Sequence, residues 1–354
     1  MMLHLYRYLD RLVLLSILRK LIFNKIFKNL IIIMIIDVIG DIHGYADKLV
    51  GLLKQLGYVH NGTYFVPPAG HRALFIGDFI DRGPQQVASL EIVFAMLDAG
   101  VADAVMGNHE YNALTFAMLD PEQPERYLRS HSDVHVRQHE TFLAEVPFGS
   151  EAHQYWLQRF YEIPLWLETD YACFVHACWD VDSMAVLKPL LTADNCLTPD
   201  AVVATAQKHS PAYEALERVL KGVETALPDG LVMVDKDGAA RSQVRVRWWL
   251  DELNKRTIHE IARAPSSGLA QIPSDALAEN IEFALKTHKP VFVGHYWLTG
   301  APQPLSPQVA CTDYSAAIDS GYLTCYQLDT EQPLPLKAHN FVQYRHDEDP
   351  KRDA

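Results

Sequence analysis

Residues 34–44 read MIIDVIGDIHG. A short apolar run bounded by a turn reads as a buried strand. This one stops abruptly in Asp41 and His43, one residue apart and bracketed by Gly40 and Gly44. Glycines at such a stop allow positive φ and let the backbone approach a bound group closely. Two further runs end in the same way. RALFIGDF leads into Gly77-Asp78-Phe79-Ile80-Asp81-Arg82-Gly83, and ADAVMG leads into Gly107-Asn108-His109-Glu110.

Helical patterns separate these strands. Leu49, Leu52, Leu53 and Leu56 share one face of a segment over 45–56, Val87, Leu90, Ile92, Val93 and Leu97 mark a second helix, and a third starts at Glu110. Strand, turn and helix in alternation predict an α/β domain with parallel strands at its centre. The second half is less regular. LWLETDYACFVHA predicts a hairpin around Thr169-Asp170, and LVMVDKDGAARSQVRVRWW predicts one turning at Asp237-Gly238. Thr198-Pro199 and Ser210-Pro211 are N-cap and first-turn pairs for two helices. PVFVGHYW, QVACTDYS and GYLTCYQL read as late strands. No linker and no internal repeat divides the chain, which predicts one domain over 34–345 with helical insertions and a polar tail over 346–354.

The 354 residues suffice for a sizeable core, and 49% apolar with 21% charged residues is an ordinary globular composition. The net charge of −13 is uneven: residues 1–33 carry +5 and the rest −18. So acidic a body is a poor partner for a nucleic-acid polymer, whereas a small anion held by local cations is compatible with it. The five cysteines form no CxxC pair and are odd in number, which argues against a disulfide framework and for a reducing, cytoplasmic compartment. Residues 1–33 are basic, apolar and helix-prone. They contain no run of eighteen uncharged apolar residues and no secretory cleavage pattern. They read either as an amphipathic helix on a membrane surface or, as favoured here, as sequence outside the fold, because Met34 opens the first strand.

In a parallel α/β sheet the carboxyl ends of neighbouring strands converge on one crevice. Three consecutive strands would thus bring Asp41, His43, Asp78, Asp81, Arg82, Asn108 and His109 to one edge. His176 in CFVHA and His295 in VFVGHYW end apolar runs in the same style. Carboxylate, amide and imidazole donors together suit a borderline divalent metal, and cations relieve the repulsion such a cluster otherwise carries. Alone, a DxH between glycines is explained by a turn and GNHE by a helix start. Three such turns in order are not. Arg245 and Arg247 share a face of a predicted strand, either as solvated charges or as anion binders. His131, His135 and His139, four apart, are expected on a polar rim, with a second metal site as the alternative.

GDIHG, GDFIDRG and GNHE, followed by VHA and GHY, resemble the calcineurin-like metallophosphoesterases, in the branch that holds the PPP serine/threonine phosphatases and the bacterial symmetrical bis(5'-nucleosyl)-tetraphosphatases. The resemblance implies a four-layer α/β/β/α sandwich with helical insertions and two divalent metal ions, manganese first and iron or zinc as alternatives. It implies Asp41 and His43 on the first metal, Asp78 bridging, and Asn108, His176 and His295 on the second. His109 would be the proton donor to the leaving oxygen, Asp81 its carboxylate partner and Arg82 a phosphate ligand. The implied reaction is hydrolysis of a phosphate ester or anhydride by in-line attack of a metal-bound hydroxide, on a dinucleoside polyphosphate or another small phosphorylated metabolite. The alternatives are a phosphoprotein phosphatase and an idle metal-binding scaffold. The protein phosphatases carry Arg before GNHE where this chain has Met106, and GHxH relatives carry a second His where this chain has Trp297. The idle scaffold would lack a ligand or the donor, and none is missing.

Overall fold

The computed structural model describes residues 34–345 apart from 228–230, 235–239, 265–267, 271, 279–280 and 319. The expectations for residues 1–33, for the tail over 346–354 and for the turn at Asp237-Gly238 lie outside the described residues.

The alternating pattern folds as expected: β1 (Ile35–Ile39), α1 (Ala46–Gln55), β2 (His71–Phe75), α2 (Gln86–Asp98), β3 (Ala102–Ala104) and α3 (Asn108–Ala117). β1 pairs parallel with β2, and β2 with β3. Two helices follow, α4 (Asp133–Glu145) and α5 (Glu151–Phe160). Then β4 (Trp166–Glu168) and β5 (Cys173–Val175) form the expected antiparallel hairpin. The side chains of Thr198 and Ser210 accept the N–H groups of Ala201 and Tyr213, capping the two helices that open with Pro199 and Pro211. The late strands are β6 (Val291–Val293), β7 (Val309–Cys311), β8 (Asp313–Tyr314), β9 (Tyr322–Asp329) and β10 (Phe341–Tyr344).

Two sheets result. In the first, β9 lies antiparallel beside β1 and also pairs with β8 and β10. In the second, β6 sits between β7 and β5, parallel to both. The period-two alternation of strands assigns the layers. Ile36, Val38, Leu74, Ile76 and Val105 of the first sheet face Phe174, Phe292 and Ala310 of the second in one apolar cluster. The alternate residues Ile39, Ala73, Phe75, Cys173, Val175, Val291 and Val293 pack in the cluster that holds the helical Leu49, Leu52, Leu90, Val93 and Leu216. The order is therefore helices, sheet, sheet, helices, an α/β/β/α sandwich. All five cysteines are free and buried. Among the described residues no helix is long and apolar enough to cross a membrane.

Candidate active site

Because β1, β2 and β3 run parallel, as do β5 and β6, the residues that follow them emerge at common edges of the two facing sheets. Asp78 is the meeting point. Its Oδ2 lies 3.3 Å from His176 Nε2, 3.7 Å from His43 Nε2 and 3.9 Å from His109 Nε2. One ligand atom from each of His43, Asp78 and His109 falls within 4.8 Å of the others, and the same holds for Asp78, His176 and His295. Asn108 Oδ1 is 3.2 Å from His176 Nε2. Asp41 joins through its Oδ2, which accepts the His295 N–H at 3.0 Å. The structure thus gathers Asp41, His43, Asp78, Asn108, His109, His176 and His295.

The rings are held from behind. His43 Nδ1 donates to the Ile80 carbonyl at 3.0 Å and His176 Nδ1 to the Ile76 carbonyl at 2.7 Å, which turns each Nε2 into the site. A fixed Nδ1 contact of this kind sets tautomer and orientation for ligation. His43 Nε2, His295 Nε2 and Asp41 Oδ1 are buried with no hydrogen-bond partner among the described residues. Buried polar atoms are rarely left this way, and divalent cations are the partners these donors fit.

The electrostatics agree. Burial, then the His109 charge, push the His43 pKa down to about 3. Burial, then Arg245, push His295 well below its ordinary value. Both rings therefore keep the lone pairs that ligation needs. Burial and the neighbouring Asp313 raise Asp41 well above a usual carboxylate, a cost that a cation removes. His176 runs the other way: burial disfavours its charge, yet Asp78 and the hydrogen bond to it lift its pKa to about 10, and a cation would have to displace that proton.

His109 is held differently. Its Nδ1 is 2.6 Å from Asp81 Oδ2, and its backbone N–H donates to Asp78 Oδ1 at 3.0 Å. Burial opposes charge on this ring, but Asp78 and Asp81 outweigh it and raise the pKa. Asp81 itself is held at about 2 against its burial by hydrogen bonds from His109 and His139. Arg82 is exposed, with its guanidinium 4.4 Å from the Trp297 ring centroid, a cation–π contact that orients it.

The glycines act mainly by close approach. A Cβ on Gly107 would lie 2.2 Å from both Asp78 N and Asp78 Oδ1, and one on Gly294 would lie 2.1 Å from Asp41 Oδ1. Positive φ falls on residues in and around the cluster: His43 (49°), Asp78 (51°), Asp81 (69°), Arg82 (75°), His295 (68°) and Trp297 (49°). Such conformations cost about 1–3 kcal/mol each and cluster where function constrains the backbone. Glu110 offsets part of this by accepting the N–H groups of Asp78, Phe79, Ile80 and Gly107 at 2.8–3.3 Å. Gly107→Ala is expected to lower stability by about 1–3 kcal/mol through overpacking and to weaken metal binding, read as a lower melting temperature that added manganese restores less than in wild type.

Three readings change. His139 is not on a polar rim: it is buried, and its Nδ1 bonds Asp81 Oδ1 at 2.8 Å. Its two partners in the pattern diverge from it, since His131 precedes α4 and stacks between Phe116 and Tyr127, whereas His135 bonds the Ser130 carbonyl at the surface. Arg245 and Arg247 do not share a strand, because the strand Gln243–Arg245 ends first. Arg245 lies 3.6 Å from Glu224 and close enough to His295 to depress its pKa. Asp313 was missed, although it too follows a buried strand. It accepts the N–H groups of Trp297 at 2.6 Å and Ser315 at 2.9 Å, fixing the turn after His295.

A sandwich of two sheets whose edge gathers carboxylate, amide and imidazole donors has the donor set of a divalent-metal centre. Residues 34–172 match the family model for calcineurin-like phosphoesterases. His176 and His295 lie beyond the matched stretch. A bis(5'-nucleosyl)-tetraphosphatase PrpE (asymmetrical) from Geobacillus sp. (strain WCH70) is 42% identical over 76 residues, 22% of this chain and 31% of the relative. The Bacillus subtilis (strain 168) protein of that name is 36% identical over the same shares. The chain thus spans under a third of the length of the curated relatives it matches, and these carry the asymmetrical designation rather than the symmetrical one. A protein serine/threonine phosphatase from Saccharomyces cerevisiae superposes with a TM-score of 0.48 at 14% identity, over 91% of this chain and 83% of that one.

Proposed function

We propose that this protein is a two-metal phosphoesterase that hydrolyses a small phosphorylated compound, with a dinucleoside polyphosphate as the first substrate to test. The observation that carries the reading is Asp78, whose carboxylate lies within 4 Å of three imidazoles while His43, His295 and Asp41 present buried ligand atoms with no other partner among the described residues. Asp41 and His43 would hold one cation and Asn108, His176 and His295 the other, with Asp78 placed to serve both. When bound, such a pair supplies a nucleophile at neutral pH and neutralises phosphoryl oxygens. Manganese suits the mixed oxygen and nitrogen donors, and iron or zinc would also fit.

The chain's own side chains do the rest. His109, with Nδ1 committed to Asp81, has Nε2 to offer a proton to the leaving oxygen. Arg82, aligned by Trp297, binds the phosphoryl oxygens with its planar fork. The buried Met106 supplies no cation where the protein phosphatases carry Arg, which favours a small substrate over a phosphoprotein. The free cysteines favour a cytoplasmic setting.

Full-length protein purified with manganese should release product from diadenosine tetraphosphate faster than phosphate from a phosphoserine peptide, with an aryl phosphate as a generic control. The reverse order would favour the phosphoprotein reading. No turnover of any of the three with metal bound would overturn the enzyme reading.

A further inference from the structure

His139 takes no part in the reaction as described, yet it is buried beside the proton-donor pair. It is 4% exposed, on α4, with its ring 5.2 Å from that of Phe116 and 5.0 Å from that of Phe142. Its Nδ1 lies 2.8 Å from Asp81 Oδ1 while His109 Nδ1 lies 2.6 Å from Asp81 Oδ2. One carboxylate is therefore gripped by two imidazoles, one on each oxygen. An ionised carboxylate only accepts hydrogen bonds, so both rings donate from Nδ1. The Asp81 N–H is also fixed, donating to Gln86 Oε1 at 2.7 Å.

The last torsion of an aspartate is broad and nearly two-fold. Held by one oxygen alone, the Asp81 carboxylate could swing about that bond and carry His109 with it. A second donor on the opposite oxygen sets the plane of the group. The donor's own position is set at a distance: Glu145, at the end of α4, accepts the N–H groups of Gln86 at 2.8 Å and Val87 at 3.0 Å, seating α4 across the start of α2. We propose that His139 is a positioning residue, whose Nδ1–H locks the Asp81 carboxylate so that His109 presents Nε2 to the leaving oxygen. The proposal rests on the phosphoesterase reading given above.

Leaving-group dependence separates this role from a merely structural one, because a proton donor matters most when the departing oxygen is a poor leaving group. With the full chain and manganese, donor-less His139→Phe and His139→Ala should lower kcat on phenyl phosphate by about 10- to 100-fold, the range seen for outer-shell partners. On p-nitrophenyl phosphate, whose departing oxygen needs little protonation, kcat should stay within about threefold. KM and bound metal should not change. His139→Asn, whose amide nitrogen falls where Nδ1 was, should recover most of the loss. Equal losses on both esters, a change confined to KM, or loss of metal would overturn the proposal. A readout without turnover accompanies it, taken on the protein loaded with diamagnetic zinc: the downfield proton resonance of the His109 Nδ1–H should broaden in His139→Phe and return in His139→Asn. An unchanged resonance in His139→Phe also overturns the role. Failure of wild type to cleave either ester, with that resonance responding as expected, would instead place the fault in the phosphoesterase reading.

Discussion

His109→Asn is expected to lower kcat by about 10²–10⁴-fold on a phosphate ester with a poor leaving group, the range for loss of a positioned general acid. The protein should keep its full metal content. The expectation follows from how the ring is held: Nδ1 is bound to Asp81 Oδ2 at 2.6 Å, and Nε2 lies 3.9 Å from Asp78 Oδ2 in the cluster. Burial opposes charge on the ring, but Asp78 and Asp81 outweigh it and raise its pKa, the direction a proton donor needs. The neighbouring His43 is driven the other way, to about 3, by burial and the His109 charge. Two imidazoles whose centroids are 4.8 Å apart thus have opposite tendencies, one suited to ligation and one to proton transfer. Asn at position 109 removes the proton while preserving the backbone N–H that bonds Asp78. Elemental analysis beside the rate decides the matter: metal lost along with activity would make His109 a ligand, which its 3.9 Å approach to Asp78 permits geometrically.

Asp78→Asn is expected to cost more, abolishing measurable turnover and leaving less than one equivalent of manganese after desalting. Asp78 Oδ2 is the atom on which His43, His109 and His176 converge, and its Oδ1 accepts the His109 N–H. Burial opposes its charge, but His176 and His109 hold its pKa well below the ordinary carboxylate value. Removing that charge leaves the imidazoles around a neutral amide that competes poorly for a cation. A thermal measurement supplies the companion result. A ligand bound only to the folded state at a hundredfold excess over Kd stabilises by about 2.7 kcal/mol. Manganese should therefore raise the wild-type melting temperature by several degrees, and a chelator should reverse the rise. The Asp78→Asn melt should be insensitive to both. A variant whose melt still rises with manganese would show that another set of ligands binds the ion.

Much of the cluster was legible in the sequence because its polar residues follow closely on buried strands. Asp41 follows β1, Asp78 follows β2, Asn108 follows β3, His176 follows β5 and His295 follows β6. Parallel pairing then leaves little freedom about where they go: strands that share a direction share an edge. The glycine brackets were legible too, and Gly107 and Gly294 carry them out by letting backbone and carboxylate approach where a Cβ would collide.

What escaped the sequence depends on contacts between distant segments. His139 lies 58 residues from Asp81, and its four-residue spacing from His135 says only that the two share a helix face. Which way that face turns is decided by the seating of α4 on the start of α2 through Glu145, a contact across 59 residues. Arg245 is brought near His295 by the end of its short ribbon, not by strand alternation. The left-handed backbone at His43, Asp78, Asp81 and His295 is likewise invisible in the residue types, which do not favour it. Local patterning thus determined the strands, their stops and the polar turns that follow them, since those choices rest on side chains a few residues apart. The grip on Asp81 and the aim of His109 were settled only when separate helices packed, because hydrogen-bond geometry at that scale belongs to the tertiary fold.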